Sequence, residues 1–506
     1  MRPNRRIAEH GSRQRKVNLL IVAASVAVLF WTSAAQAIDW SAEAAFEGPV
    51  PEADCGPGSS PETRLQGQVP LADRESGRST QGYHCNLELL GQFQGEGSSW
   101  VSQSYGDCAY LSTRNPSQAD SPGVQVIDVS DPANPRRTTA LTSPAMRGTW
   151  ESLKVNEARG LLAAVYAPEP GGNGVAFFDV YDIRSDCTRP RLLNSIASTE
   201  LSIPANVLGH EGNWSPDGKT YWAAGLQAGV ITAIDVANTS EPKIVYTGST
   251  GLINHGLSVS DDGNRLYIAE IGNLAGAFTG GAVDPGDPNG VKIFDVSQVQ
   301  ARRLAPQITP VGATYWEDGA IGQHAIAVTY GGKPHLIFVD EGGAGAARII
   351  DITDEGTPRV ISKLKLRIHL PEYADVRAED TAGTGAFGYE GHYCDVDRQT
   401  DPTALACGYF QSGVRVFDIR DAIAPREIAY FNPPAQTGRE ADLGSSEHAS
   451  PALGGALTAD WCSSPPRFVG TDQLWVTCQD NGFLALRFTN HAYPLLRHLT
   501  GIGRPV

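Results

Sequence analysis

Positive charge is scarce in this sequence of 506 residues: 40 Lys and Arg face 56 Asp and Glu, a net charge of −16 with neutral His. Six of the basic residues (Arg2, Arg5, Arg6, Arg13, Arg15 and Lys16) fall in the first sixteen positions, where Glu9 is the one acid. Without residues 1–37 the balance is 34 against 55, near −21. A surface that acidic repels phosphate backbones and anionic lipid, which argues against nucleic acid and peripheral membrane partners. The sequence also has no Cys-x-x-Cys pair, so the common zinc-thiolate and dithiol motifs are missing. It has no nucleophile elbow, Walker loop, Rossmann glycine fingerprint or HExxH, which leaves serine hydrolase and nucleotide chemistry without support. No segment carries a long helical period. What remains, with 55 Gly, 33 Pro and 41% hydrophobic residues, is a folded, turn-rich chain.

The basic start precedes the apolar run VNLLIVAASVAVLFW (17–31), and Ala35-Gln36-Ala37 offers the small residues a signal peptidase accepts. Fifteen apolar residues are short for a bilayer core about 30 Å thick, so residues 1–37 read as a cleaved signal peptide, with no transmembrane segment in the mature form. The expected location is periplasmic, secreted or cell surface. Eight cysteines, an even number in an exported chain, imply disulfides. Cys394 with Cys407 and Cys462 with Cys478 each flank an expected hairpin, and Cys85 and Cys108 bracket one short stretch. Cys55 and Cys187 are then left for each other by elimination.

One phrase recurs: Gly, alternating apolar residues, Asp, an apolar residue, a polar turn with Pro. Copies are GVQVIDVSDPANP (123–135), GVAFFDVYDIRSDCTRP (174–190), GVITAIDVANTSEP (229–242), GVKIFDVSQ (290–298), ARIIDITDEGTP (347–358) and GVRVFDIRDAIAP (413–425), with a degenerate GFLALRFTN at 482–490. Their central aspartates, Asp128, Asp179, Asp235, Asp295, Asp351 and Asp418, are 51, 56, 60, 56 and 67 residues apart. Upstream hairpins such as NWSPDGKTYWAAG (213–225) and LSVSDDGNRLYIAE (257–270) complete units of about four short antiparallel strands. A period near 50 residues selects an all-β fold, a β-propeller of seven four-stranded blades. The blades fall near 97–142, 148–200, 206–250, 252–310, 322–370, 389–435 and 458–490. The last lacks an outer strand, which NLELLGQF (86–93) supplies, so an N-terminal strand closes the ring and removes an open edge. This divides the chain into an N-terminal extension (38–84), the propeller (85–490) and a C-terminal tail (491–506). Insertions at 270–290, 371–388 and 436–457 are polar and Gly-rich, and loops of that kind carry function on a propeller face.

The phrase VQVIDVSDPANP resembles the LVIVD repeat, and residues 85–490 resemble LVIVD-repeat proteins of the bacterial cell surface, including the choice-of-anchor B group. GVRVFDIRDAIAPREIAYFNPP and LWVTCQDNGFLALRF match best. The resemblance implies a propeller fold and export, and no single shared activity. No C-terminal anchor follows Val506, a departure from anchored relatives that favours a soluble secreted or periplasmic form; a monomer is expected.

Histidine is the one chemical signal. Ten remain after residue 37, and four open consecutive repeats: His210, His255, His324 and His392. His210 and His255 lie eight residues before the turn glycines Gly218 and Gly263, and His324 eight before Gly332. That position begins the innermost strand at the mouth of the axial channel, so four imidazoles are expected to face one space. The corresponding places in other blades hold Ser98, Glu151 and Asp460. Such a ring suits one divalent transition metal (Zn, Cu, Fe or Ni), with Glu211 and Glu390 orienting the rings through their other nitrogens. It is similar in outline to the inward histidines of carotenoid oxygenase and selenium-binding propellers, without a sequence match to either. A metal-free polar pocket and a purely structural role are the alternatives.

Residues ending the second strands (Glu270, Asp340, Glu341, Gln411, Gln479 and Asp480) are better explained by turn chemistry, with Glu341 the exception. The repeated aspartates read as turn acceptors. The acidic DPGDPNG (284–290) lacks EF-hand spacing. Trp150, Trp214, Trp222 and Tyr409 could line a ligand face, although packing between blades suits them better. Two functions follow: a propeller that binds a small-molecule or protein ligand on one face, or a metal-dependent oxidase or hydrolase using the same histidines.

Overall fold

In the computed structural model, the described residues are 48–112, 123–166, 177–196, 210–225, 229–251, 253–272, 289–380, 388–436 and 459–495. Residues 1–47, which include the expected signal peptide, lie outside the described residues, as does most of the 284–290 loop.

Seven antiparallel sheets form a seven-bladed β-propeller. From axis to rim, blade 1 runs Ser102–Tyr105, Cys108–Ser112, Val124–Asp128 and Arg136–Leu141. Blades 2 to 5 begin on the axis with Lys154–Asn156, Glu211–Trp214, Asn254–Val259 and Ala320–Tyr330. Blade 6 begins with Cys394–Val396 and blade 7 with Arg467–Val469. The second strands, sandwiched by neighbouring blades, are mostly buried, and wholly so in Leu161–Val165 and Thr220–Ala224, whereas the rim strands Arg136–Leu141 and Lys243–Ser249 are more open. Each blade interface holds its own apolar cluster, such as Leu161, Val180, Trp214 and Tyr221 between blades 2 and 3. A matching cluster of Ala109, Ile127, Trp475 and Phe483 joins blade 7 to blade 1, so the ring is closed.

Blade 7 takes its rim strand from the N-terminal side: Leu87–Phe93 pairs antiparallel with Gly482–Phe488. That strand reproduces the local geometry of the others. In every blade the rim strand carries one extra residue against the third strand, such as Thr138, Val245, Val311, Ile361 and Ile428, and in blade 7 it is Leu90. Gly91 follows because a Cβ there would lie 2.3 Å from the Pro132 carbonyl oxygen of blade 1. Asp128 and Arg136 pair across the third and fourth strands of blade 1; blade 7 reverses the charges, with Arg487 Nε donating to Glu88 Oε1 at 2.7 Å.

Three expectations need correction. Tyr83 and His84, placed by sequence at the end of the extension, form with Cys85 a fifth strand at the rim of blade 6, paired with Arg426–Asn432. The disulfides are Cys394–Cys407 and Cys462–Cys478 as expected, but the other pairs are Cys55–Cys85 and Cys108–Cys187. Cys85 and Cys108 are close in sequence yet belong to blades 6 and 1, because the closing strand crosses blade 7 between them. The turn acceptor of blade 2 is Asp182, whose carboxylate accepts the Arg184 N–H at 3.0 Å, as Asp128 accepts that of Ser130 and Asp235 that of Ala237. Asp179 is instead buried and accepts the Ala145 N–H at 2.7 Å.

Candidate metal centre

Three imidazoles from three blades meet at one carboxylate. Glu151, just before the first strand of blade 2, places Oε2 3.0 Å from His210 Nε2 and 3.1 Å from His255 Nε2, and Oε1 3.1 Å from His392 Nε2. Glu341, at the end of the second strand of blade 5, adds Oε2 at 2.9 Å from His392 Nε2. His210 and His255 approach at 2.8 Å between Nε2 atoms. Glu151, His255, His392 and Glu341 are buried, and the His210 side chain keeps 12% exposure.

The backbone fixes which ring nitrogen faces the cluster. His255 Nδ1 lies 3.1 Å from the Gly322 carbonyl oxygen and His392 Nδ1 2.7 Å from that of Ser463. A carbonyl only accepts, so Nδ1 carries hydrogen in both rings and the Nε2 positions are presented to Glu151. Left-handed backbone at non-glycine residues gathers at the same end of the axis: Trp150 (φ +46°) precedes Glu151, Ile321 (φ +52°) precedes Gly322, and Phe410 has φ +38°.

Burial works against charge throughout, and the outcome differs by residue. For His255 the neighbouring Glu151 and Glu341 carboxylates outweigh burial and push the imidazole up to about 9. His392, hydrogen-bonded to the same two carboxylates, is pushed up to about 10 against burial. At His210 burial prevails over Glu151 and lowers the pKa. Glu151 is held well below the usual carboxylate range by His210 and His255, despite burial. His255 and His392 thus carry protons at Nε2, and those are the protons a metal ion displaces.

The expected fourth histidine lies elsewhere. His324 stacks on Tyr393 with ring centroids 4.4 Å apart and lines a cavity of about 690 Å³ that runs along the axis beside Lys154, Glu211, Asn213, Leu257 and Asp395. Burial, with the charges of Lys154 and His392, lowers its pKa well below the ordinary value. Both blades bulge at this place: Gly322 pairs with Asp340 and His324 with Val339 in blade 5, as Asn254 pairs with Glu270 and Leu257 with Ile268 in blade 4, so Gln323 holds the position that His255 holds. Gln323 Nε2 lies 3.3 Å from His392 Nε2 and 3.5 Å from His255 Nε2. Counting back from a turn glycine misses this, because the blade 5 hairpin stays paired out to Tyr330 and Lys333 and is longer than that of blade 4, which ends at Val259 and Leu266.

Neither expected orienting carboxylate touches a ring. Glu211 pairs with Lys154 Nζ at 3.0 Å and accepts the Leu257 N–H at 3.1 Å, and burial pushes it up to about 7. Glu390 accepts the Gly388 and Tyr389 N–H groups of its own turn. Ring orientation falls to backbone carbonyls, which sequence cannot reveal. Asp460 likewise caps a turn through the Trp461, Asp480 and Asn481 N–H groups, and the Ser98 N–H donates to the Gln479 carbonyl. Glu270, Asp340 and Gln411 hydrogen-bond to Tyr315, Trp316 and Arg74, and the Gln479 amide lies 3.5 Å from the Ser463 hydroxyl.

Among the aromatic candidates, Trp214, Trp222 and Tyr409 pack between blades. Trp150 joins Trp100, Phe410 and Trp461 in a separate aromatic group against the cluster. Trp100 lies 5.3 Å from His392 and Trp150 5.3 Å from His210 between ring centroids. Trp100, Phe410 and Trp461 were not legible in the sequence because they do not recur at one place in the repeats.

Glu151, His210 and His255 form one set of candidate metal donors and Glu151, Glu341 and His392 another. Histidine nitrogen mixed with carboxylate oxygen suits first-row divalent ions, and a neutral imidazole whose Nδ1–H is held by a carbonyl is the form that ligates them. The residues therefore fit a metal ion.

No protein-family model matches the chain, and no curated protein matches its sequence. Solved structures similar to it include a putative 6-phosphogluconolactonase from Bacteroides fragilis, 11% identical, with a TM-score of 0.44 over 73% of this chain and 91% of that one. A putative 6-phosphogluconolactonase from Bacteroides uniformis is also 11% identical, with a TM-score of 0.44 over 75% and 94%. Hydrazine synthase from Kuenenia stuttgartiensis is 13% identical, with a TM-score of 0.41 over 65% and 78%. The functional reading rests on the site itself.

Proposed function

We propose that this chain is an exported propeller of LVIVD-like repeats that holds a divalent transition metal at one end of its axis and binds a small-molecule or protein ligand on that face. One observation carries the metal reading: three Nε2 atoms from blades 3, 4 and 6 converge within 3.1 Å of a single buried carboxylate. Hydrogen bonds alone do not require three separate blades to aim imidazoles at one point. Four disulfides, with no free cysteine among the described residues, support an oxidising compartment, and the basic and apolar start supports export. Among the described residues no helix is long and apolar enough to cross a membrane.

A second reading is a metal-dependent oxidase or hydrolase. The partial exposure of His210 beside Trp150 favours it, because a metal held there would meet solvent on one side. Metal analysis of the mature protein, purified from an oxidising compartment beside a variant with His255→Ala and His392→Ala, tests the shared premise. Bound metal lost in the variant is the expected result. Metal-free protein after supplementation with Zn, Cu, Fe and Ni overturns both readings.

A further inference from the structure

We infer that the cluster is a two-ion centre bridged by Glu151, an inference that rests on the metal-binding reading above. The donors fall into two sets that share only Glu151, and within each set the ligand atoms lie within 4.8 Å of one another. Glu151 serves the sets with different oxygens. Oε2 is 3.0 Å from His210 Nε2 and 3.1 Å from His255 Nε2, while Oε1 is 3.1 Å from His392 Nε2, which Glu341 Oε2 approaches at 2.9 Å. One carboxylate with each oxygen turned to a separate donor set, two imidazoles on one side and an imidazole with a second carboxylate on the other, is the arrangement that spans two ions about 3.5–4 Å apart. A single ion, with bonds of about 2.0–2.2 Å, would have to draw both sets inward and abandon one of the two oxygens.

A second observation points to the space between the sets. Gln323 is fully buried, its Nε2 lies 3.5 Å from His255 Nε2 and 3.3 Å from His392 Nε2, and its Oε1 has no hydrogen-bond partner. Amide oxygen and nitrogen exchange by a half-turn of the side chain, which would bring an unpartnered oxygen donor to the gap between the two sets. Glu341 reaches across the same gap, with Oε1 3.8 Å from His255 Nδ1, although that nitrogen is committed to the Gly322 carbonyl. Charge fixes what else the centre takes. Two divalent ions bring four positive charges against the carboxylates of Glu151 and Glu341, and the adjacent Glu211 is already paired with Lys154. The excess of two favours anionic oxygen ligands, of which one hydroxide would offset half.

The test uses the mature protein with its disulfides intact, stripped by a chelator, reloaded with manganese or zinc, desalted and measured for metal per chain. Two ions per chain are expected, and the manganese form should give the electron paramagnetic resonance spectrum of a spin-coupled pair. Glu151→Gln, nearly the same in shape, should abolish the coupling, and His392→Ala should leave one ion at the His210 and His255 set. Circular dichroism confirms that each variant keeps its sheet. One ion per chain in the unaltered protein, with an uncoupled spectrum, overturns the two-ion centre and leaves the metal-binding reading standing. No bound ion overturns both.

Discussion

Blades 4 and 5 start alike and end up serving different parts of the axis. Each opens with a histidine eight residues before a turn glycine, and each ends its second strand with an acid, Glu270 or Asp340. In blade 4 the histidine enters the cluster; in blade 5 the longer hairpin, paired out to Tyr330 and Lys333, leaves that place to Gln323 and turns His324 to the axial cavity. The acids differ as well. Asp340 is locked by Arg348 Nη2 at 2.6 Å and by the Trp316 indole at 2.9 Å, whereas Glu270 has the Tyr315 hydroxyl at 2.6 Å and only a distant Lys292 at 3.9 Å. A repeat therefore copies the strand and its bulge, and leaves the length of the hairpin to decide which side chain does the chemistry.

The largest effect should come from breaking the blade 5 ion pair. Arg348→Met leaves Asp340 buried without its cation and takes one of three cations from Asp318, which Lys363 and Lys365 also hold. Loss of one partner of a buried pair costs about 3–5 kcal/mol, so the denaturant midpoint should fall steeply. The same change in blade 4, Lys292→Met, should cost less than about 1 kcal/mol, because the pair is longer and Lys292 is partly exposed. Equal losses would erase the distinction between the blades.

Next in size is the histidine comparison. His255→Ala removes a donor that touches Glu151 and should weaken metal affinity by more than about 100-fold, beyond the 10–100-fold typical of residues that only support a ligand. His324→Ala should leave affinity unchanged, since its ring stacks on Tyr393 and touches none of the cluster carboxylates. Metal titration of both variants decides the matter; a matching loss in His324→Ala would mean that the fourth histidine swings into the centre when metal binds.

Gly256→Ala sharpens the same contrast. A Cβ at this position would lie 2.0 Å from Glu211 Oε2 and 2.1 Å from the Gln323 carbonyl oxygen, so blade 5 backbone must shift. The expected cost is about 1–3 kcal/mol in thermal or denaturant unfolding, the range for overpacking. In blade 5 the residue after His324 is already an alanine, Ala325, packed in the apolar cluster with Ala269 and Phe338. Glycine is needed at 256 because the cluster-facing register brings blades 4 and 5 together there.

The contrast also marks how far the sequence could be read. The strand phrase, its period and the apolar run at 86–93 were enough for seven blades and their closure, because alternation and spacing are set by local chemistry. Contacts made by the ring were not. The three-residue strand at Tyr83–Cys85 is too short to carry a pattern, and the pairing of Cys108 with Cys187 joins one blade to the next. Glu151 was visible as an acid just before an axial strand, and Glu341 as one at the end of a second strand. The carbonyls that set the ring tautomers, the bulge beneath His324 and the place of Gln323 have no sequence signature.

The smallest effect, and the one that reads the acids directly, is the pH dependence of Glu270. Burial is the main cause that pushes this carboxyl up to about 7, against the lowering effects of Lys292 and Tyr315. A carboxyl whose pKa is higher in the folded than in the unfolded chain binds its proton more tightly when folded, so its contribution is favourable at low pH. That contribution is lost as pH rises from the ordinary Glu range, about 4.3, to about 7. Glu270→Gln, which cannot ionise, should therefore unfold at a temperature close to that of the unaltered protein at pH 4.5 and at a higher one at pH 8. Asp340 also has its pKa raised by burial, but Arg348, Asn289 and Trp316 hold its oxygens, so Asp340→Asn should destabilise the protein at both pH values. If both variants instead gain at pH 8, the guanidinium is not what separates the two blades, and the difference between them reduces to the length of the hairpin.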